Sequence, residues 1–108
     1  MKDVLDTELQ LFLRSILPDE DAVQTELREY ADANHISVVD PEVGYLLHLL
    51  TGLTKPQNVL EIGTAIGCSG IYIARAMQGG KLTTIELTEE RHNMALEYFR
   101  RAGVADQI

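Results

Sequence analysis

Apolar residues recur at spacings of three and four near the start of the chain. Val4, Leu5, Leu9, Phe12, Leu13, Ile16 and Leu17 form one stripe, ended by Pro18. That period predicts an amphipathic helix. A second helix is predicted from about Asp19 to His35. Its apolar positions, Val23, Leu27, Tyr30 and Ala31, are sparse among many acids, so it should be the more exposed of the two. Ile36 to Val39 is a short apolar connector. Asp40-Pro41-Glu42 then reads as a helix start, with Asp as N-cap, Pro at the first helical position and an acid near the positive end of the dipole. Val43, Leu46, Leu47, Leu49 and Leu50 should be the buried stripe of this third helix. Gly52 should stop it, and Lys55-Pro56 makes a turn.

The period then changes. Asn58-Val-Leu-Glu-Ile62 is a short β-rich run that leads into glycines. Ile66 to Met77 reads as a helix, with Ile71, Ile73, Ala74 and Met77 buried, and Gly79-Gly80 breaks it. Lys81-Leu-Thr-Thr-Ile-Glu86 is a second strand, rich in β-branched residues. Thr88 can cap a last helix that runs through Arg101, with Gly103 just past its end. Strand, helix, strand, helix is the pattern of a parallel βαβ unit with a right-handed crossover. The chain thus divides into a helical region, residues 1–54, and a βαβα unit, residues 55–108.

Two strands are few for a parallel sheet, which normally has several and is covered by helices on both faces. The 108 residues stop at Ala105-Asp-Gln-Ile108, where a third strand would begin. We therefore expect the N-terminal part of a larger α/β domain. The alternative is a short protein that completes its sheet through another chain.

Composition narrows the classes. Charged residues make up 24% and hydrophobic residues 45%, ordinary values for a globular domain. Nine Lys and Arg stand against 17 Asp and Glu, a formal charge of −8. That balance disfavours a general nucleic-acid surface without excluding a local basic patch. One cysteine excludes an internal disulfide and a cysteine zinc cluster. No apolar run reaches the roughly 18 residues of a transmembrane helix, and MKDVLDTELQ lacks the apolar core of a signal peptide. The default expectation is a cytoplasmic protein without a membrane contact.

The most informative segment is Val59-Leu-Glu-Ile-Gly-Thr-Ala-Ile-Gly-Cys-Ser-Gly70. It is a strand, a glycine-bearing turn and a helix start, and ligands of open α/β sheets sit at such carboxyl ends. Gly63 allows a tight turn directly after the strand, and Gly67 would let backbone approach a ligand. Glu86 ends the second strand, 19 positions after Gly67. An acid about 20 residues on is where a ribose diol is held. The dinucleotide fingerprint G-x-G-x-x-G is absent, since the chain has Gly63-x-x-x-Gly67-x-x-Gly70, and so is the P-loop. The ligand should carry a ribose but need not carry phosphates. This disfavours a nicotinamide-dependent dehydrogenase and suits S-adenosylmethionine.

Here the sequence resembles a known family. Glu61-Ile-Gly-Thr-Ala-Ile-Gly-Cys-Ser69 and Thr84-Ile-Glu86 are similar to motif I and the following acid of class I S-adenosylmethionine-dependent methyltransferases. The nearer resemblance is to the bacterial O-methyltransferase branch related to catechol and caffeoyl-CoA O-methyltransferases. Val38-Val-Asp-Pro-Glu-Val-Gly44, Lys55-Pro56 and Ala102-Gly-Val-Ala-Asp-Gln-Ile108 fit that branch too. Cys68 departs from it, because an aromatic residue usually stands between that glycine and serine.

The resemblance implies a Rossmann-like fold and a cofactor-binding front half. Gly63 and neighbouring backbone would line the methionine end of S-adenosylmethionine. Ser69 would offer its hydroxyl, and the helix N-terminus its amides, to the carboxylate of the donor, and Glu86 would hold its ribose. Val39 would sit beside the cofactor, and Glu61 would shape the loop. The family also implies a divalent cation, usually Mg²⁺, with ligands later than Ile108, and often a homodimer. The acceptor would be a small catechol-like phenol or, alternatively, a hydroxylated wobble uridine of tRNA. These 108 residues alone are expected to transfer no methyl group. A non-catalytic nucleoside-binding or interaction module is the rival class. Cys68 has no His partner nearby in sequence and reads as structural. His35, His48 and His92 show no metal-ligand spacing.

Overall fold

A computed structural model describes residues 6–108. Val4 and Leu5 of the first predicted stripe lie outside them. The elements are α1 (Thr7–Ile16), α2 (Ala22–Ala33), α3 (Pro41–Thr54), β1 (Asn58–Ile62), α4 (Cys68–Ala76), β2 (Lys81–Ile85), α5 (Glu89–Arg101) and a closing 3₁₀ turn (Ala105–Gln107). Strands β1 and β2 pair in parallel, with Asn58 opposite Lys81 and Ile62 opposite Ile85. This is the expected βαβα order, and both strands end at the same level. Their carboxyl ends therefore open onto one place.

The core gathers Leu27 and Ala31 of α2, Ile66, Cys68, Ile71 and Ala74 around α4, and Ala95, Tyr98, Phe99 and Val104 around α5. Ile73, Met77 and Leu82 make a second cluster against the sheet. The alternation of the strands follows from one covered face. Leu82 is buried, while Leu60 and Ile62 are 65% and 75% exposed on the other set of positions.

Several expectations are corrected. The second helix is not the more exposed one. α1 buries no residue, whereas α2 buries Gln24, Leu27 and Ala31. The dense stripe of α1 lies beside α3 but stays largely open: Leu9, Phe12 and Ile16 are exposed, and Leu13 and Leu17 are only partly buried. α2 starts later than Asp19, because Asp21 and Gln24 form a reciprocal capping box: the Gln24 amide donates to Asp21 Oδ1 (2.9 Å) and the Asp21 amide to Gln24 Oε1 (3.0 Å). Such a box satisfies two free amides at once and fixes the first turn.

The stripe of α3 is mostly outside too. Val43, Leu46, Leu49 and Leu50 are exposed, Leu47 is partly buried against Ile73, Met77 and Leu82, and the buried positions are Gly44 and Thr51. The reason is close approach to α4: a Cβ on Gly44 would stand 2.4 Å from the Tyr72 ring. Only the small side of α3 can face that ring. Gly52 does not stop α3, which continues to Thr54 and ends on Lys55 in the left-handed region (φ 49°). α4 begins at Cys68 rather than Ile66, because the loop before it folds back on itself. β2 ends at Ile85, one residue before Glu86. Asp40 and Thr88 hold N-cap positions without side-chain cap bonds.

Candidate functional site

The loop between β1 and α4 is anchored on the neighbouring strand. The amides of Gly63 and Thr64 both donate to the Ile85 carbonyl, at 2.8 and 3.2 Å. The chain then turns sharply, with the Gly67 amide donating to Thr64 O at 3.0 Å. Three residues of five have positive φ: Gly63 (95°), Ala65 (50°) and Gly67 (106°). For alanine this conformation costs on the order of 1–2 kcal/mol. Ala65 is held there by Glu86, whose Oε1 accepts the Ala65 amide at 2.8 Å.

Glu86 is thus fixed at the joint end of both strands. Its Oε2 accepts the Thr88 amide at 3.0 Å. These bonds from Thr88 and Ala65 hold the carboxyl below the usual Glu range. A carboxylate has about four acceptor sites, so each oxygen keeps capacity for a second donor. That is what a vicinal diol requires.

Glu61, on β1, organises the loop from below. Its Oε2 accepts the Ser69 hydroxyl at 2.5 Å and its Oε1 the Thr84 hydroxyl at 2.7 Å. Thr84 also lies 2.6 Å from the Thr64 hydroxyl. The single Ser69 hydroxyl proton is therefore committed to Glu61, which corrects the expectation that this hydroxyl would reach the carboxylate of the donor. What Ser69 offers outward is its main-chain amide, in the first turn of α4, where amides have no intrahelical acceptor.

A cleft of about 400 Å³ runs beside the loop, within the size range of small-molecule sites. One wall is the connector Ser37, Val38, Val39 and Asp40. The other is Gly63, Thr64, Ala65, Cys68 and Ser69. The structure thus brings Val39, Gly63 and Ser69 together on one cleft, with Glu61 bonded to Ser69 and Glu86, just after β2, bonded to the Ala65 amide of its wall. Gly67 lies apart from it. Gly67 is buried, and a Cβ there would stand 2.8 Å from Phe99 Cε1. Its lack of a side chain serves the seat of the loop on α5.

Cys68 is buried at the base of the cleft, and burial pushes its thiol up to about 11. It is no nucleophile at neutral pH. Among the described residues, no three His, Cys, Asp or Glu side chains converge to hold a metal ion. The divalent cation that the resemblance implies has no fit among the described residues. No helix of the described residues is long and apolar enough to cross a membrane.

Sequence reasoning missed one group. Arg28 donates to Glu20 through Nε and Nη2, both at 2.8 Å, and through Nη1 to the Val39 carbonyl at 2.8 Å. Tyr72 donates its hydroxyl to Glu20 Oε2 at 2.5 Å. Arg28 and Glu20 are eight positions apart and Tyr72 is 52 from Glu20, so no local motif signals them.

A parallel strand pair, a glycine turn into a helix and an acid just past the second strand are the arrangement of a Rossmann-like fold. Comparison with known proteins agrees. A model of the O-methyltransferase family matches residues 15–108. The chain belongs to this family, with its class I Rossmann-like fold. An inferred O-methyltransferase of Mycolicibacterium smegmatis is 41% identical over 86 residues, 79% of this chain and 41% of that protein. The Bacillus cereus O-methyltransferase, solved with S-adenosylhomocysteine (SAH), is 30% identical. It superimposes with a TM-score of 0.84 over 94% of this chain and 47% of its own. TomG of Streptomyces achromogenes, an O-methyltransferase of tomaymycin synthesis solved with S-adenosylmethionine, is 32% identical. Its TM-score is 0.84 over 93% of this chain and 46% of its own. The chain therefore spans about two fifths to one half of the length of these relatives.

Proposed function

We propose that the protein is an S-adenosylmethionine-dependent O-methyltransferase and that these residues supply its methyl-donor site. The observation that carries this reading is the Glu86 carboxylate. It is locked onto the Ala65 amide at 2.8 Å, at the mouth of a positive-φ loop, and keeps acceptor capacity for a ribose diol. The pairing of relatives with SAH and S-adenosylmethionine supports it.

In this reading Glu86 accepts from the two ribose hydroxyls. The first-turn amides of Cys68, Ser69 and Gly70 receive the amino-acid carboxylate at the positive end of α4. Glu61 keeps that turn in place through Ser69. Val38 and Val39 give the cleft an apolar wall. When bound, the donor supplies an electrophilic sulfonium methyl for in-line displacement. The chain's part is to fix its two polar ends, so that an acceptor oxygen meets a positioned methyl. A small phenolic acceptor is the reading we favour, on the resemblance to the catechol and caffeoyl-CoA branch. The net charge of −8 supports it over a polyanionic acceptor. Mg²⁺ would need ligands other than the described residues.

Calorimetry with SAH and with NAD tests the donor site. Binding of SAH without NAD supports the reading, and NAD binding without SAH overturns it. Labelled methyl transfer to catechols and to tRNA, each with and without Mg²⁺, tests the acceptor. Transfer to tRNA alone would replace the phenol.

A further inference from the structure

The connector Ser37–Asp40 is a thin partition. The donor cleft lies on one side, and on the other lies a second cleft of about 590 Å³ lined by Arg14, Arg28, Asp32 and His35. A segment with open space on both sides gets limited support from packing. Its inward contacts are Ile36, Val38 and Val39 against the core. Its ends are tied by the backbone, Ile36 N–H to the Ala31 carbonyl and Gly44 N–H to the Asp40 carbonyl, both at 2.9 Å, and Asp40 lies 3.7 Å from Arg14. Between those ends the side-chain support converges on one atom, the Val39 carbonyl. Arg28 Nη1 donates to it at 2.8 Å, and the Cys68 thiol approaches it at 3.7 Å.

Arg28 is itself held in a fixed pose. Its fork meets Glu20 with two bonds of 2.8 Å, and Nη2 also reaches Cys68 Sγ at 3.6 Å. The Arg28 and Glu20 side chains are only 20% and 13% exposed. Tyr72, from α4, donates to the same Glu20 carboxylate at 2.5 Å. The guanidinium thus joins three elements: the α1–α2 link through Glu20, the connector through Val39, and α4 through Cys68 and, by way of Glu20, Tyr72. Taking such a pair out of water is costly. A hydrophobic pair would fill the same space but could not hold a carbonyl.

We infer that Arg28, locked by Glu20 and Tyr72, is the positioning residue that sets the distance between the connector wall and the motif loop, and so the fit of the donor cleft. This rests on the methyl-donor reading of that cleft. The residue touches no cofactor atom in this role; it acts through the Val39 carbonyl. Lysine has one ammonium in place of the planar fork and cannot hold Glu20 in two places and Val39 in a third.

The test is SAH calorimetry on the full chain, paired with thermal melting, for wild type, Arg28→Lys, Tyr72→Phe and Arg101→Met. The last breaks the exposed Arg101–Glu26 pair between α5 and α2, which makes no bond to the connector. Arg28→Lys should bind SAH about tenfold more weakly, and Tyr72→Phe about threefold, because an unfixed wall must be ordered on binding. Arg101→Met should keep wild-type affinity. A purely structural role would lower the melting temperature of Arg28→Lys and leave the affinity of the folded protein unchanged; that result overturns the inference. Should Arg28→Lys fail to fold, Tyr72→Phe decides it, and unchanged affinity there overturns it equally. Absence of SAH binding by the wild type would instead overturn the donor-site reading itself.

Discussion

Removing the Glu86 carboxylate perturbs the proposed site most directly. In Glu86→Ala two sets of bonds are lost. The ligand loses an acceptor for its two ribose hydroxyls, and the amides of Ala65 and Thr88 lose theirs, made at 2.8 and 3.0 Å. A hydrogen bond to a charged group contributes about 1.5–3 kcal/mol when well shielded. Glu86 is only partly covered, so solvent screening reduces that figure to about 1 kcal/mol for each diol bond. The sum, about 2 kcal/mol, corresponds to roughly a 30-fold weaker SAH dissociation constant. Glu86→Gln should fall between wild type and Ala. Its amide keeps one acceptor oxygen but turns an NH₂ toward either Ala65 or Thr88, where two donors would meet. Calorimetric titration with SAH reads both variants, and circular dichroism checks that the fold persists. An affinity within twofold of wild type in Glu86→Ala, with the fold intact, would refute the ribose assignment.

Gly67→Ala should destabilise the fold by roughly 2–4 kcal/mol, because it combines a left-handed backbone with overlap on Phe99; urea unfolding measures it, and a change below about 0.5 kcal/mol would contradict the packing role. Cys68 should resist alkylation in the native state, since with its thiol near 11 only about one in a thousand is ionised at pH 8; iodoacetamide labelling followed by mass spectrometry should be slow until urea is added. For Glu20, burial opposes ionisation, but bonds from Arg28 and Tyr72 outweigh it and hold the folded carboxyl below its ordinary value. Its stabilising contribution is therefore full above the unfolded value and is lost as pH falls through the lower folded one. Acid titration of wild type against Glu20→Gln should show wild type losing its stability advantage below about pH 4.

The parts of this protein legible in the sequence are those whose signal is local. The strand Asn58–Ile62 carries its own alternation, the glycines mark its exit, and Glu86 follows at a distance that a βαβ crossover dictates. The elements, and most of the residues that the structure brings to the candidate site, could be read from these. Burial of the N-terminal helices could not, because it depends on what packs against them. The dense stripe of α1 stays largely exposed beside α3, while the sparse one of α2 seats Leu27 and Ala31 in the core. On α3, Gly44 decides which side faces inward, because the Tyr72 ring leaves no room for a side chain. The roles of Gly67 and Ser69 also needed coordinates. Phe99, 32 positions on, takes the open side of the glycine, and Glu61 takes the serine's proton. The Arg28, Glu20 and Tyr72 group joins segments far apart in the chain, and nothing near any one of them marks it.

The most direct measurement of the central claim is an NMR titration of the ¹⁵N-labelled chain with SAH. The account predicts shifts concentrated at the amides of Val39, Gly63, Ala65, Ser69 and Glu86, with the outer face of α5 silent. SAH-induced shifts confined to other surfaces, or no shifts at millimolar SAH, would contradict it.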